Sequence, residues 1–265
     1  MPLAKKNEII LRPSYWASVS GGKDSLYMLN YILHNLNRYP LDGVVHFELE
    51  IDFPFIKKVI DYMESECKRF GIPFVRIKPR KSWKELYAKY GFPTRQSRWC
   101  NSHYKLDCKK QLEEFLNSRG GDLYSYIGYC VDEEDRYKKK KDKEIYPLVE
   151  NNIREADILE WAKEQPIFND YYKFNKRCGC MFCPMSSMKN KAYLLKYYPE
   201  KYEELIRLVK ETETFRTKEL GRPFTIFQSK PKYNADYIDK QIRTKYMRKL
   251  EEDLYKYEKE QYEIK

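Results

Sequence analysis

The sequence predicts an α/β protein, in which a doubly wound, mostly parallel sheet is followed by a C-terminal helical subdomain. Short apolar runs alternate with helical periods from residue 14 to about 130, as in strands joined by crossover helices. After about residue 145 the pattern becomes mainly helical. In a chain of 265 residues we therefore expect an α/β domain at residues 1–150. A helical subdomain at residues 151–265 is expected to pack on it.

The individual elements follow from apolar periodicity and from glycine and proline punctuation. A stripe of Leu26, Leu29, Ile32 and Leu33 marks the first helix, and Pro54 marks the start of the second. The predicted strands cover residues 15–19, 43–47, 73–77 and 123–128. The predicted helices cover residues 24 to about 37, 55–70, 106–117, 154–164, 189–212 and 233–262.

Charge is concentrated in two internal segments. The net charge is +11, and residues 76–110 carry eleven basic and two acidic side chains, while residues 136–143 carry six and one. Such segments suit phosphate-bearing partners, although exposed, solvated loops have the same composition. No apolar run approaches the roughly 20 residues of a membrane span, and the first residues are too polar for a secretory signal. We expect a cytoplasmic protein with no membrane partner.

The strongest local signal is the sequence SGGKDS between a predicted strand and a predicted helix. Two glycines allow a tight turn and close backbone approach, and the helix that follows presents N–H groups to an anion. Hydroxyl groups and one lysine add polar contacts. The spacing matches neither a Walker A loop nor G-x-G-x-x-G. The residues of this predicted phosphate cradle are Ser20, Gly21, Gly22, Lys23, Asp24 and Ser25.

This loop resembles the PP-loop of ATP pyrophosphatases, which have the adenine nucleotide α-hydrolase fold. The resemblance implies that ATP is cleaved between its α and β phosphates, that the loop holds the departing pyrophosphate, and that Mg²⁺ bridges the phosphates. Carboxylates are the ligands that Mg²⁺ prefers, and Asp24 is favoured because it lies in the loop. Other carboxylates that could serve are Asp52, Asp132, Glu133 and Asp135.

Further segments resemble the phosphoadenosine phosphosulfate reductase-like group. Residues 48–54 (ELEIDFP), 95–105, 128–136 (GYCVDEEDR) and 146–150 match its motifs, with Glu48, Glu50 and Cys130 as departures. The resemblance adds Asp52 and Gly128 to the expected nucleotide-binding residues. It implies that positive charge stabilises the transferred phosphoryl group. The expected catalytic residues are Lys23, Asp24, Arg95, Arg98, Lys105 and Arg136.

Two features separate this chain from true phosphosulfate reductases, which carry a degenerate loop and a C-terminal catalytic cysteine. Here the loop is intact and no cysteine follows Cys183. Reduction of a phosphosulfate is therefore not expected. The intact loop favours use of ATP.

Three of the seven cysteines lie within six residues, in the pattern C-x-C-x-x-C. Neighbouring Lys176 and Arg177 are expected to favour thiolates. With Cys100 as a remote fourth ligand, Cys178, Cys180 and Cys183 suit a 4Fe–4S cluster in preference to Zn²⁺, since zinc sites usually pair two knuckles. Packing of three thiols in a turn is the structural alternative. Similarity to the DNA-phosphorothioation sulfur-transfer proteins also points to a cluster.

The remaining cysteines and the histidines give weaker signals. Cys67 and Cys108 fall at helical core positions, while Cys130 is a candidate persulfide carrier. The histidines do not group, and His103 lies near Cys100 with no partner visible in the sequence.

The motifs together predict an ATP-dependent adenylating enzyme for sulfur transfer to a nucleic acid, tRNA or DNA, with a cysteine desulfurase as sulfur donor. One alternative is a sulfate or small-molecule adenylyltransferase that binds no nucleic acid. Another is a nucleotide-binding, redox-sensing module without turnover. The acceptor and the oligomeric state are left open.

Overall fold

Five parallel strands form one sheet. The computed structural model describes residues 11–139, 142–227 and 233–263. The strands are β1 (Arg12–Val19), β2 (Gly43–Phe47), β3 (Phe74–Ile77), β4 (Gly121–Tyr126) and β5 (Glu144–Ile145). Their order is β3-β2-β1-β4-β5, and every neighbouring pair is parallel. The predicted α/β fold class is confirmed.

Strand β1 is central, and the strand order reverses beside it. From β1 the chain moves outward to β2 and β3, and then it returns to the other side of β1 to add β4 and β5. Trp16 of β1 pairs with Gly43 of β2 and with Ser125 of β4. Where strand order reverses, the loops that leave the carboxyl ends of the two strands diverge and open a crevice. A ligand site is therefore expected where β1 and β4 end.

Helices account for most of the remaining elements. Two short segments are π-helical, Cys100–Lys105 and Ile242–Tyr246, and a 3₁₀ turn covers Asp170–Lys173. The α-helices are α1 (Lys23–Leu33), α2 (Pro54–Arg69), α3 (Trp83–Tyr90), α4 (Leu106–Asn117), α5 (Glu134–Tyr137), α6 (Pro147–Glu150), α7 (Glu155–Lys163), α8 (Met188–Tyr197), α9 (Pro199–Leu220), α10 (Ala235–Gln241) and α11 (Met247–Glu263). Within the described ranges, none of these helices has the length and apolar character to cross a membrane.

The predicted bounds of β2 and α4 agree with the structure. The single helix predicted at 189–212 is wrong, because the structure has two helices there, α8 and α9, and Pro199 is the first residue of α9. Proline is favoured in the first turn of a helix but disrupts a helix interior. The helix predicted at 233–262 is likewise divided into α10, a π-helical segment and α11. Helix α3 was not predicted, although Ser82 and Glu85 form a capping box at its start.

The chain forms two compact units, each built from several segments. The first unit contains the described residues up to Glu48, together with Ile56–Pro79 and Leu106–Gln165. The second contains Leu49–Phe55, Arg80–Lys105 and the described residues from Pro166 onward. These units differ from the predicted division at residue 150, since each unit takes up segments from both sides of that boundary.

Aromatic packing explains where the segments belong. In the first unit, Trp161 of α7 packs edge-on against Tyr27 of α1, with ring centroids 5.0 Å apart. In the second unit, Trp83 and Phe92 lie 6.0 and 6.5 Å from the ring of Phe182. Burial of large rings is among the strongest contributions to packing, so contacts distant in sequence decide the division.

Each unit has its own core. In the first, buried side chains from β1, β2, β4 and α4 pack together: Trp16, Val45, Leu112, Leu116 and Leu123. In the second, the ring of Tyr171 lies 5.5 Å from Phe53 and 5.0 Å from Tyr193. Burial raises the pKa of Tyr171, and the charges of the nearby Cys178, Cys183 and Cys180 raise it further. The second core therefore supports the cysteine segment.

Candidate functional site

The SGGKDS loop lies in the first unit, at the carboxyl end of the central strand β1 and the start of α1. Gly21 has φ of +73°, and a Cβ atom there would lie 2.8 Å from Cγ2 of Ile56. A larger residue would be strained by both the backbone conformation and the contact. The loop is thus a tight turn beside the reversal of strand order, where a ligand site is expected.

The two serines of the loop have different surroundings. The Ser25 hydroxyl donates to the carbonyl of Gly22 (2.9 Å) and accepts from the backbone N–H of Ser20 (3.2 Å). Ser25 is buried, whereas Ser20 is exposed. Ser25 therefore holds the turn, and Ser20 is the hydroxyl that a ligand can reach.

The N-terminus of α1 can receive an anion. Gly22 occupies the N-cap position, and no side chain in the described part of the chain caps the helix there. First-turn N–H groups of a helix lack partners within the helix and carry its positive dipole end. Together with the exposed Ser20 hydroxyl, they form a cradle suited to phosphate oxygens.

Lys23 is buried between two carboxylates. Its ammonium lies 2.6 Å from Oδ1 of Asp24 and 3.0 Å from Oε1 of Glu155. The backbone N–H of Glu155, the first residue of α7, donates to the carboxylate of Asp132 at 3.2 Å. Lys23 is therefore charge-compensated by protein groups. Sequence reasoning missed Glu155, because it lies outside every motif.

Burial raises the pKa of Asp24, and the charges of Glu155 and Glu133 raise it further. The ammonium of Lys23 opposes these effects, both through its charge and through a hydrogen bond. The loop thus contains a carboxyl group whose ionisation depends on one lysine. Carboxylates near a phosphate cradle suit a divalent cation.

The segment that follows β4 approaches the loop within the same unit. A Cβ atom on Gly128 would lie 3.0 Å from the carbonyl oxygen of Asp24, so only glycine fits there without movement. Sγ of Cys130 lies 3.9 Å from Oδ1 of Asp24. The Cys130 thiol is fully buried, and burial together with the charge of Asp24 raises its pKa well above the usual range. A thiol in these surroundings is a poor nucleophile.

Arg136 is also paired. Its guanidinium lies 2.6 Å from Oε1 of Glu133 and stacks 4.3 Å above the ring of Tyr129. The buried carboxylate of Glu133 accepts, in addition, the N–H of Cys130 at 3.1 Å. The basic run at 136–143 extends into residues 140 and 141, which lie outside the described residues.

The four candidate ligand cysteines lie in the second unit, and all are half-buried. Cys178, Cys180 and Cys183 follow one another in a turn, in which Cys183 donates its N–H to the carbonyl of Cys180 at 3.2 Å. Cys100 begins a π-helical segment. Burial raises the pKa of Cys100, and the charge of Cys183 raises it further. Cys100 is therefore close enough to the turn for the charges of the two sulfur atoms to interact.

Burial raises the pKa of Cys178, and the charge of Asp52 raises it further. The expectation that Lys176 and Arg177 favour a thiolate at Cys178 is therefore wrong, because burial has the larger effect. A hydrogen bond from Cys180 lowers the pKa of Cys183. Within the turn, Cys183 is the sulfur that is most readily ionised.

A buried lysine faces these cysteines. Lys191 is 2% exposed, and its ammonium donates to the carbonyl of Ser186 (2.9 Å) and to the hydroxyl of Ser186 (2.8 Å). It lies 4.6 Å from the centre of the Phe227 ring. Burial lowers the pKa of Lys191 to about 8, while the charge of Cys183 raises it. No described carboxylate forms a salt bridge with Lys191. Because an unpaired buried charge is energetically costly, a nearby anion would stabilise its ammonium.

The donor set fits a soft metal centre. Four cysteine thiolates are a ligand set that an iron–sulfur cluster or zinc takes, and a buried cation nearby would stabilise their charge. As the side chains stand in the described ranges, no three His, Cys, Asp or Glu residues are grouped in the arrangement of a metal site. The ligands would therefore have to adjust around the bound group.

The structure distributes the predicted site residues over both units. The first unit contains the loop Ser20–Ser25 with Gly128 and Arg136. The second contains Asp52, which influences the cysteines, and the exposed side chains of Arg95, Arg98 and Lys105. Cys67 and Cys108 are fully buried, as predicted for core residues.

Comparisons with known proteins bear on this arrangement. The family model of the phosphoadenosine phosphosulfate reductase domain matches residues 14–185, which include the loop and all four candidate ligand cysteines. Two uncharacterized proteins of Methanocaldococcus jannaschii, MJ0973 and MJ0066, are each 28% identical to this chain, over 211 and 202 residues. The matches cover 73% and 71% of this chain but 47% and 40% of the relatives. The chain thus spans less than half the length of these relatives.

Among solved structures, the U34-tRNA thiolase NcsA from Methanococcus maripaludis, with its 4Fe–4S cluster, superposes with a TM-score of 0.41 at 18% identity. The superposition covers 75% of this chain and 71% of the thiolase chain. A likeness of this degree carries no argument about the activity of this chain.

Proposed function

Because the chain belongs to the phosphoadenosine phosphosulfate reductase domain family, we propose that it is an ATP-dependent enzyme that adenylates its substrate, releases pyrophosphate and serves sulfur transfer to a nucleic acid. The observation that carries this proposal is the position of the SGGKDS loop. It lies at the carboxyl end of the central strand, with an exposed hydroxyl and a helix N-terminus that no described side chain caps. That arrangement suits the charged tail of a nucleoside triphosphate.

In the proposed reaction, an acceptor oxygen of the substrate attacks the α phosphorus of ATP. The bond from that phosphorus to the oxygen of the β phosphate breaks, and its electron pair leaves with pyrophosphate. Ser20 and the first-turn N–H groups of α1 would hold the departing pyrophosphate, whose growing charge they stabilise. Asp24 would position Mg²⁺ on the phosphates.

Lys23 has a different proposed role from the direct phosphate contact that the motif suggests. Since its ammonium already lies between Asp24 and Glu155, it would keep both carboxylates oriented. It would also hold Asp24 in the ionised form that binds a cation. Lys23 would thus act through Asp24, as a positioning residue.

The cysteines of the second unit are proposed to hold a 4Fe–4S cluster, with zinc as the alternative. Its ligands would be Cys100, Cys178, Cys180 and Cys183. When bound, such a cluster can supply a site for the sulfur atom that replaces AMP on the activated substrate. A cysteine desulfurase is the class of enzyme proposed to deliver that sulfur, and tRNA or DNA is the proposed acceptor.

The test of adenylation is the position at which ATP is cleaved. Purified protein is incubated with ATP labelled at the α phosphate and with candidate acceptors, and the products are separated. We expect labelled AMP or an adenylated acceptor, together with pyrophosphate. ADP and inorganic phosphate would contradict the proposal. ATP binding without turnover would instead favour a nucleotide-binding sensor.

A matched pair of serine variants sharpens this test. Ser20→Ala removes the exposed hydroxyl of the loop, whereas Ser18→Ala removes a hydroxyl two positions earlier in β1. We expect Ser20→Ala to lower kcat/KM for pyrophosphate release by roughly 10- to 100-fold, as for loss of one transition-state donor. Ser18→Ala should retain activity. Equal activities of the two variants would count against the loop as the pyrophosphate site.

The metal is tested separately. Protein purified without oxygen is analysed for iron, sulfide and zinc, and its visible spectrum is recorded. Iron with sulfide and a broad visible absorbance would support the cluster. Stoichiometric zinc in a colourless protein would contradict the proposal that the cysteines hold a cluster that carries sulfur.

A further inference from the structure

A ladder of four rings runs through the second unit. Trp83 and Trp99 lie 4.6 Å apart, Trp99 and Tyr90 lie 6.0 Å apart, and Tyr90 and His103 lie 5.4 Å apart. The planes of the last two rings differ by only 12°, so the imidazole stacks on the phenol. Trp83 and Trp99 are anchored by α3 and by the start of the π-helical segment at Cys100–Lys105.

Exposure increases along this ladder. Trp83 and Trp99 are 5% and 4% exposed, Tyr90 is half-buried, and His103 is exposed. Within the part of the chain that the structure describes, His103 forms no hydrogen bond and no salt bridge. The imidazole of His103 therefore presents a ring face to solvent, and its position is held by stacking on the half-buried ring of Tyr90.

The segment that contains the four rings is rich in basic residues. Residues 80–105 carry seven basic side chains and one acidic side chain, Glu85. Glu85 is occupied in the capping box of α3 with Ser82. The basic side chains that are exposed and form no salt bridge within the described residues are Lys81, Lys84, Lys89, Arg95, Arg98 and Lys105. Lys89 lies 5.1 Å from the centre of the Tyr90 ring.

We propose that this face, the exposed ladder end at Tyr90 and His103 with the basic side chains of residues 80–105, binds a single-stranded stretch of RNA by stacking one unpaired base on His103. The proposal rests on the proposed action on a nucleic acid and adds the surface and the strandedness. Unpaired cations attract the phosphodiester backbone. An exposed ring can stack on the face of a base. That face is accessible in an unpaired nucleotide, whereas in a duplex it is stacked against neighbouring bases.

This assignment gives Arg95, Arg98 and Lys105 a role other than the nucleotide contacts that the motifs suggest. Their side chains are exposed, and their charges have no carboxylate partner among the described residues. By contrast, Lys23 and Arg136, the two basic residues of the first unit that were expected to be catalytic, are both paired with carboxylates. Cationic side chains without carboxylate partners, beside an exposed ring, suit a nucleic acid, which offers both phosphates and bases.

The experiment measures fluorescence anisotropy of a labelled RNA of about 12 nucleotides, single-stranded or as a duplex, with single-stranded DNA as a third arm. We expect the single-stranded RNA to bind more tightly than the duplex. Tighter binding of single-stranded DNA would keep the surface but reassign its ligand to DNA. Equal binding of duplex and single strand would overturn the stacking proposal.

Variants test the ring and the charges separately. His103→Ala should weaken binding by about 5- to 100-fold, the range for loss of one stacked base, and His103→Phe should restore it. The matched control is His34→Ala, which removes an exposed histidine of the first unit. Unchanged affinity of His103→Ala would overturn the proposal.

Charge reversal provides the second comparison. Lys84→Glu with Lys89→Glu should weaken binding and reduce the salt dependence of log Kd by roughly 0.7 for each phosphate that the protein no longer neutralises. The control reverses two exposed lysines of α2, Lys57→Glu with Lys58→Glu, and should bind as the unaltered protein does. Equal losses of affinity in both pairs would show a general charge effect and reject this face.

Pyrophosphate release from ATP is measured for the same variants with the acceptor RNA at saturating concentration, because the proposed attack on the α phosphorus needs an acceptor oxygen. We expect His103→Ala and both lysine pairs to keep it. Intact release with intact RNA binding in His103→Ala would reject the surface while adenylation stands. Absence of release from the unaltered protein, with RNA binding still sensitive to His103, would reject adenylation while the surface stands. Circular dichroism verifies that each variant is folded.

Discussion

Among the residues that the structure describes, each of the two units buries one lysine, and the two lysines have opposite surroundings. Lys23 lies between the carboxylates of Asp24 and Glu155, at 2.6 and 3.0 Å. Lys191 has only neutral hydrogen-bond partners, the carbonyl and hydroxyl of Ser186. The buried charge in the first unit is thus compensated by the protein, whereas the one in the second unit is not.

This difference shows how each region would bind its ligand. The phosphate loop contains no uncompensated buried lysine, so an anion would be held mainly by backbone N–H groups and the Ser20 hydroxyl. Burial lowers the pKa of Lys191, whereas the charges of Cys183 and Cys180 raise it, so these two sulfur atoms are candidates for the anion that would balance its charge. The second region is therefore suited to thiolates and to the metal that they ligate.

The largest expected effect comes from removing the compensated lysine. Lys23→Met leaves two half-buried carboxylates without their cation, which costs up to about 3–5 kcal/mol of unfolding free energy. Urea unfolding of metal-free protein measures the loss, and Lys23→Arg should retain part of the stability. A loss below about 1 kcal/mol would show that the pair contributes little.

The same substitution in the second unit should behave differently. In metal-free protein, Lys191→Met should change the unfolding free energy by no more than about 1 kcal/mol, since the buried ammonium is costly and its partners are neutral. Iron or zinc affinity should fall about 10- to 100-fold, as for loss of a group that supports ligands. Metal analysis after dialysis measures this, with Lys191→Arg as control. If Lys191→Met retained all of its metal, the proposal that Lys191 balances the charge of the ligand thiolates would be rejected.

The cost of Lys23→Met should depend on pH. Burial already raises the pKa of Asp24 above its ordinary value of 3.8, and removing Lys23 should raise it further. A carboxyl group with a raised pKa in the folded state stabilises that state when protonated, and the contribution is lost as pH rises through the folded pKa. The deficit should therefore shrink as pH falls from 7 toward the ordinary value of 3.8, by about 1.4 kcal/mol in all for each unit by which the substitution raises the pKa.

The control for this pH dependence is the double variant Lys23→Met with Asp24→Asn, which has no carboxyl group at residue 24. Its stability relative to Asp24→Asn should vary much less with pH. The same pH dependence in the double variant would assign the effect to Glu155 or Glu133 instead of Asp24.

The smallest expected effect concerns Cys130. This thiol is fully buried and its pKa is raised, so we expect Cys130→Ala to keep pyrophosphate release and sulfur transfer within about twofold, since thiolates are the reactive form. The loss of stability should be about 1 kcal/mol, as for a small buried group. Mass spectrometry that found a persulfide on Cys130 would contradict this and restore it as a sulfur carrier.

Local patterns predicted much of this molecule. The strand–turn–helix around residues 20–25 could be located because two glycines and the apolar runs on either side of them are contiguous in sequence. Strand β2 and helix α4 were predicted with the observed bounds. The C-x-C-x-x-C segment was likewise visible, because closely spaced thiols are distinctive.

Contacts between distant segments were not predictable in this way. Glu155 reaches Lys23 across 132 positions, and nothing in its neighbourhood marks it as part of the loop. The place of residues 80–105 in the second unit depends on rings that meet Phe182. The stacking of His103 on Tyr90 depends on the path of the chain between them.

The amino-acid sequence by itself determined which chemical groups are present: a phosphate-binding turn, a set of clustered thiols and an excess of positive charge. Only the tertiary structure decided which charges are compensated, which rings reach the solvent and which thiols are buried. The physical reason is that pKa, ion pairing and exposure depend on the surroundings of a side chain, and these are formed by residues far apart in the chain.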